Sequence, residues 1–207
     1  MNEAATDELE NKGHSYHEAG HAVFQSFFGM KLVGVSILPK GLSAGRSEAQ
    51  GEHQIILGQR GVFFEGTPER ARYLCHRIMI VQAGEVAQKE LCPESFHDSQ
   101  CGFDHLKAQT LIEEWDHYAY LHEREEKLAE LYESTRQLVS TPWCTAAIEA
   151  LAQALLEHKQ LTGGQARQLI IEAILKTAKE RKSLGEPPLN YECPHCARDH
   201  AWNNNVR

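Results

Sequence analysis

Two histidines four residues apart, His17 and His21, constrain this chain more than any other feature of its sequence. Apolar residues recur at helical spacing after them and Gly29 is placed to end the pattern, so the sequence predicts a helix from Ser15 to Phe28. Residues four apart lie on the same face of a helix, so both imidazoles can reach one cation. Glu18, which lies between them, points toward the same region.

The segment also has a plainer interpretation as a helix start. Ser15 and Glu18 fit the S-x-x-E capping box, in which the glutamate bonds back to the first turn and the histidines lie on a solvated face. Gly20 argues against this interpretation, because glycine inside a helix costs up to about 1 kcal/mol relative to alanine. A close approach of backbone beside a metal site would require such a residue. We therefore interpret the motif as a metal site.

The chemistry that suits this pattern is that of zinc. A catalytic zinc site has three protein ligands and keeps one position for water, whose pKa the metal lowers to about 7. We predict that His17 and His21 bind Zn²⁺ and that Glu18 is the general base that activates the water for attack on a carbonyl group. The longer metzincin motif is not met, because Phe24 and Phe27 stand where it needs Gly and His.

The rest of the chain predicts a mainly α protein with a small β element. Residues 32–38 form a β-like run that Pro39 stops, and we expect it at one edge of a small sheet. Residues 41–66 are rich in Gly and polar residues and contain short apolar pieces, which suggests loops and a second strand. Pro68 opens a long helix that ends near Leu91. Four more helices follow the hydrophobic pattern, at about 103–120, 122–139, 145–159 and 164–182.

Composition argues against several classes of protein. With a formal net charge of -8 and no basic cluster, the chain lacks the surface that nucleic-acid phosphates need. Residues 1–12 are acidic and polar, unlike a secretory signal, and no apolar run approaches the roughly 20 residues of a membrane helix. We expect a soluble, cytoplasmic protein that binds neither nucleic acid nor membrane. The scattered cysteines fit this reducing setting: Cys75, Cys92, Cys101 and Cys144.

The histidine motif and its surroundings resemble the peptidase domain of FtsH-type ATP-dependent zinc proteases. Residues 17–22 read HEAGHA, the signature of that domain. Residues 35–41 (VSILPKG) are similar to the family strand VSIIPRG, residues 80–87 to the helix that contains GGRAAE, and residues 151–163 to the closing LAEALLE…LTG. The similarity spans about residues 16–169, and only the first block is highly specific. It implies a helical zincin-type metallopeptidase domain with a small β element.

The resemblance also implies a third zinc ligand, an aspartate that opens a later helix in a pattern like SNDLxxAT. Asp104 and Ala108 match that pattern, so Asp104 is the implied ligand beside the two histidines. Three nearby positions depart from the family: Phe103 replaces an Asn, Gln109 a Thr and Gln88 a glutamate.

From the residues alone the third ligand stays open, because an aspartate before a helix is often only an N-cap. The competitors are Asp98, His97, His105 and Glu85.

The composition and pattern of the chain divide it into three parts. We expect an acidic N-terminal tail over residues 1–13, a metallopeptidase-like domain over residues 14–182 and an irregular C-terminal tail over residues 183–207. The last part contains a C-x-x-C pair with a nearby histidine, which is half of a structural zinc site at most. Its residues are Cys193, Cys196 and His200.

Two functions follow as hypotheses. The first is a zinc metallopeptidase that hydrolyses peptide or unfolded protein substrates. The sequence has no G-x-x-x-x-G-K-[ST] phosphate loop, so any unfolding activity would come from a separate ATPase partner. The second is a non-catalytic, zinc-stabilised binding or adaptor module. Glu18 favours the enzyme, because a structural zinc site needs no general base and usually has four protein ligands.

Overall fold

A computed structural model describes residues 3–39, 46–50, 68–97, 101–115 and 121–186, most of which are helical. Six α-helices and a three-stranded sheet lie in these segments. The predicted class, mainly α with a small β element, is confirmed. None of the helices in these segments has the length and apolar character needed to cross a membrane.

The first helix, α1 (Glu3–Phe27), begins well before the predicted start at Ser15. The acidic tail expected over residues 1–13 is therefore wrong from Glu3 onward, because its Ala, Glu, Leu and Lys residues are good helix formers. Ser15 lies buried inside α1, and its hydroxyl donates to the Lys12 carbonyl at 2.7 Å. This position excludes the capping box. The helix ends as predicted before Gly29, whose φ of 82° is left-handed.

The second helix, α2 (Pro68–Leu91), has the predicted bounds and is followed by a 3₁₀ turn, Pro93–Ser95. It packs closely against α1 at Gly20. A Cβ atom at Gly20 would lie 2.4 Å from the Ala83 carbonyl oxygen and 2.7 Å from the Ala87 Cβ. Gly20 thus permits a close approach of the two helices one residue before His21.

We expect Gly20→Ala to lower the free energy of unfolding by about 2 kcal/mol, the usual scale for overpacking a core. The added methyl would meet a backbone carbonyl, so the helices would have to separate, and the better helix propensity of alanine offsets only about 1 kcal/mol. Urea denaturation of the two proteins measures the difference. Gly164→Ala is the matched control, because no atom lies within 4 Å of a Cβ built there. Equal stability of the Gly20→Ala variant and the wild type would contradict the prediction.

The sheet has the order β2-β1-β3, with both pairs antiparallel. Its strands are β1 (Lys31–Ser36), β2 (Arg46–Gln50) and β3 (Gln160–Thr162). The expected strand β1 is confirmed, but its expected place at an edge is wrong, because β3 pairs with its other side. β3 is too short to leave a strand pattern of its own in the sequence. Of the region 41–66, β2 is described, whereas the apolar pieces at 55–57 and 62–64 lie outside the described residues.

Four helices complete the described fold: α3 (Gly102–Glu113), α4 (Leu121–Val139), α5 (Pro142–His158) and α6 (Gly163–Ser183). All four were expected, with different bounds. α5 starts at Pro142 because proline fits the first helical position. α6 starts with a capping box, in which Thr162 and Gln165 bond each other's backbone N–H groups. It continues through Ser183, where the C-terminal tail was expected to begin.

One cluster of buried apolar side chains joins all six helices and strands β1 and β3. Phe24 of α1, Ile78 of α2, Leu131 of α4 and Ile148 of α5 are fully buried in it. α1 and α2 cross where Gly20 lies against Ala83 and Gly84 lies against the two imidazoles. His17 and His21 lie at that crossing.

Candidate metal centre

Three potential metal ligands converge from two helices. His17 and His21 lie one turn apart in α1, and Asp104 is the third residue of α3, 87 positions beyond His17. Packing of α3 against α2 brings the aspartate to the histidines. The juxtaposition expected from the sequence is therefore present.

The donor atoms form a small triangle. His17 Nε2 lies 3.0 Å from Asp104 Oδ2 and 3.0 Å from His21 Nε2, and His21 Nε2 lies 3.3 Å from the same oxygen. The three side chains are only 11–14% exposed. Within the described segments these residues form a group that could hold a metal ion.

A backbone carbonyl fixes the orientation of His21. Its Nδ1 donates to the Ile80 carbonyl oxygen of α2 at 2.7 Å. A carbonyl oxygen only accepts, so Nδ1 carries a proton and Nε2 is the ring nitrogen that faces the triangle. Histidines that bind metals typically donate the second ring N–H in this way.

The charges of the cluster also suit a cation. Burial alone would raise the pKa of Asp104, but hydrogen bonds with His17 and His21 hold it well below its usual range. Burial lowers the pKa of His17, so this ring is neutral. For His21 burial is again the largest effect and lowers the pKa, but the hydrogen bond and charge of Asp104, the charge of Glu18 and the Ile80 hydrogen bond together raise it. An ionised carboxylate beside imidazole nitrogens attracts a positive charge, whether a proton or a metal ion.

Glu18 lies beside the triangle and is not one of its corners. The residue is 7% exposed, and its Oε2 is buried without a hydrogen-bond partner among the residues that the structure describes. Burial raises its pKa to about 7, although the nearby His21 opposes the shift. A carboxylate with such a pKa can take up and release a proton near neutral pH.

Gly84 of α2 leaves space next to the imidazoles. A Cβ atom there would lie 2.5 Å from His21 Nε2 and 2.7 Å from His17 Nε2. Any side chain at this position would push the ring nitrogens out of the triangle. Gly84 lies in a segment that resembles the family, but the sequence alone gives it no role. The spacing of the ligand residues reveals neither Gly84 nor the Ile80 carbonyl.

None of the other candidates for the third ligand that lie in the described residues belongs to the cluster. Glu85 and His105 bond each other instead. His97 is exposed. Asp98 lies outside the described residues, as do the tail residues Cys193, Cys196 and His200.

No protein-family model matches the chain, and no curated protein matches it.

Proposed function

We propose that this chain is a zinc-dependent metallopeptidase of the helical zincin type, with His17, His21 and Asp104 as the ligands and Glu18 as the general base. One observation carries the proposal: three ligand atoms meet beside a buried carboxylate that has an oxygen without a partner in the described part of the chain. The HEAGHA motif and its resemblance to the FtsH peptidase domain supply the reaction class.

The donor triangle fits zinc. Neighbouring ligands of a tetrahedral zinc ion with bonds of 2.0–2.1 Å lie about 3.3–3.4 Å apart. The observed separations of 3.0–3.3 Å are close to this value, so little movement is needed. Two imidazoles and one carboxylate also match the ligand set of hydrolytic zinc sites, which keep a fourth position open.

The protein's own groups perform the proton transfers. When bound, zinc supplies a Lewis acid that polarises a carbonyl oxygen and makes water more acidic. Glu18 takes a proton from the attacking water and later gives it to the leaving amine, so that one water and one peptide bond become a carboxyl group and an amino group. The Ile80 carbonyl holds the His21 imidazole in place meanwhile.

The substrates proposed are peptides or loosely folded proteins, and compact substrates would need a separate ATPase partner to unfold them. The test is hydrolysis of a casein-like substrate by the purified chain with zinc present. Turnover that disappears with a chelator and returns with zinc supports the peptidase. A chain that binds zinc but cleaves none of several unfolded substrates would instead be the zinc-stabilised adaptor.

Gly84→Ala should reduce zinc affinity by about 10- to 100-fold, the scale for disturbing the surroundings of metal ligands. The new methyl would occupy the space next to both Nε2 atoms, and His17 and His21 would have to turn away. Competition with a chromophoric chelator measures the affinity, and Gly164→Ala serves as a Gly-to-Ala control in a helix with open space. Unchanged zinc affinity in Gly84→Ala would show that the rings do not need this space.

A further inference from the structure

Glu85 is a buried carboxylate that the proposed reaction does not use. It follows Gly84 in α2 and is 3% exposed. Lys89 Nζ lies 2.6 Å from its Oε1, the Tyr132 hydroxyl donates to the same oxygen at 3.2 Å, and His105 makes a short hydrogen bond to Oε2. One carboxylate therefore connects α2, α3 and α4.

The carboxylate is ionised in this setting. Burial alone would raise the pKa of Glu85, but the hydrogen bonds from Lys89 and His105 lower it below its ordinary value. A buried charge is tolerated only where partners compensate for the lost water. The contact with His105 therefore joins the buried charge of Glu85 in α2 to α3.

The contact between Glu85 and His105 lies beside the metal centre. Glu85 follows Gly84, which borders both imidazoles, and His105 follows Asp104. We infer that the pair formed by Glu85 and His105, here termed the latch, positions Asp104 toward the two histidines. The inference rests on the proposed zinc site and makes both members positioning residues, because they act on the cation only through Asp104.

The contact between Asp104 and Lys107 cannot position α3 against α2. Lys107 Nζ lies 3.1 Å from Asp104 Oδ1, but Lys107 belongs to the same helix, and its side chain is 62% exposed. A pair within one helix cannot hold that helix against its neighbour. The latch does connect the two helices, and the Glu85 side chain is only 4% exposed.

Zinc affinity and the absorption spectrum of bound Co²⁺ test the latch in the full chain. His105→Ala and Glu85→Gln should each lower zinc affinity about 10- to 100-fold, and the double variant should lose no more than the larger of the two single losses, since both substitutions weaken the contact between these residues. The Co²⁺ bands should shift, because Asp104 would move relative to the histidines. Glu133→Gln is the control: it removes a carboxylate from an exposed ion pair with Arg136 and should change neither readout.

The outcomes separate the latch from the metal site. Because the His105 side chain is 58% exposed, His105→Ala should fold even if Glu85→Gln does not. Wild-type zinc affinity and an unchanged Co²⁺ spectrum in folded His105→Ala would overturn the latch and leave the zinc site standing. Losses that add in the double variant would also overturn it. A wild-type chain that binds no zinc would overturn the proposed function and the latch together.

Discussion

Glu18→Gln is expected to retain zinc and fold normally but to hydrolyse an unfolded substrate at least about 100-fold more slowly than the wild type. Glutamine keeps the size and the helix propensity of glutamate while removing the base. The Glu18 Oε2 accepts no hydrogen bond in the described part of the chain, so the substitution breaks no hydrogen bond at that oxygen. The loss would then be confined to proton transfer.

Initial rates on a casein-like substrate, with zinc content measured on the same samples, check this expectation. Glu133→Gln makes the same chemical change on an exposed face and should keep wild-type turnover. Equal turnover by Glu18→Gln and the wild type would reject Glu18 as the base. If neither protein turned over several unfolded substrates with zinc bound, the adaptor would be the better hypothesis.

Helix bounds were predictable where the sequence contains a strong local signal. Pro68 fixes the start of α2, and Gly29 ends α1 through its left-handed backbone. The sequence does not indicate the start of α1, because polar residues such as those at 3–13 are also typical of a tail. Helix propensity and the packing of Gly13 against α2 outweigh that polarity: a Cβ atom at Gly13 would lie 2.6 Å from Gln88 Nε2.

The candidate site was only half predictable from its residues. The spacing of His17 and His21 places both on one helix face, which is a local property. Asp104 is 87 positions away, and from the residues alone it was one of several acidic and histidine candidates. The resemblance implied Asp104, and the packing of α3 on α2 brings it to the histidines. Glu85 was a candidate ligand from the sequence, but its carboxylate makes hydrogen bonds with Lys89 and His105 instead.

Sheet order was not predictable for a similar reason. A strand pattern gives the alternation of buried and exposed residues but not the number of neighbours. β1 was expected at an edge because the three residues of β3 carry no strand pattern. Their pairing becomes available only after α5 returns the chain to β1, where Val35 lies opposite Leu161.

Removing both histidines should abolish zinc binding. The wild type is expected to hold about one zinc ion per chain, because one triangle of ligands is present in the described segments. Zinc in structural sites is bound by about 10–16 kcal/mol in total, or on the order of 3 kcal/mol for each of four ligands. His17→Ala/His21→Ala should thus weaken binding by roughly 10⁴-fold, and Asp104→Ala alone by about 10²-fold.

Elemental analysis and chelator competition on the purified variants measure these losses. His158→Ala, which removes an exposed histidine at the end of α5, should keep its zinc. The comparison is made in a Cys193→Ser/Cys196→Ser background as well as in the natural sequence, so that a metal ion held by the tail is not counted at the helices. Zinc that persists at one per chain in the double-histidine variant of that background would place the metal at other residues. Zinc that is lost only when the two cysteines are replaced would assign it to the tail, and the triangle at His17, His21 and Asp104 would then be a hydrogen-bonded cluster without a metal.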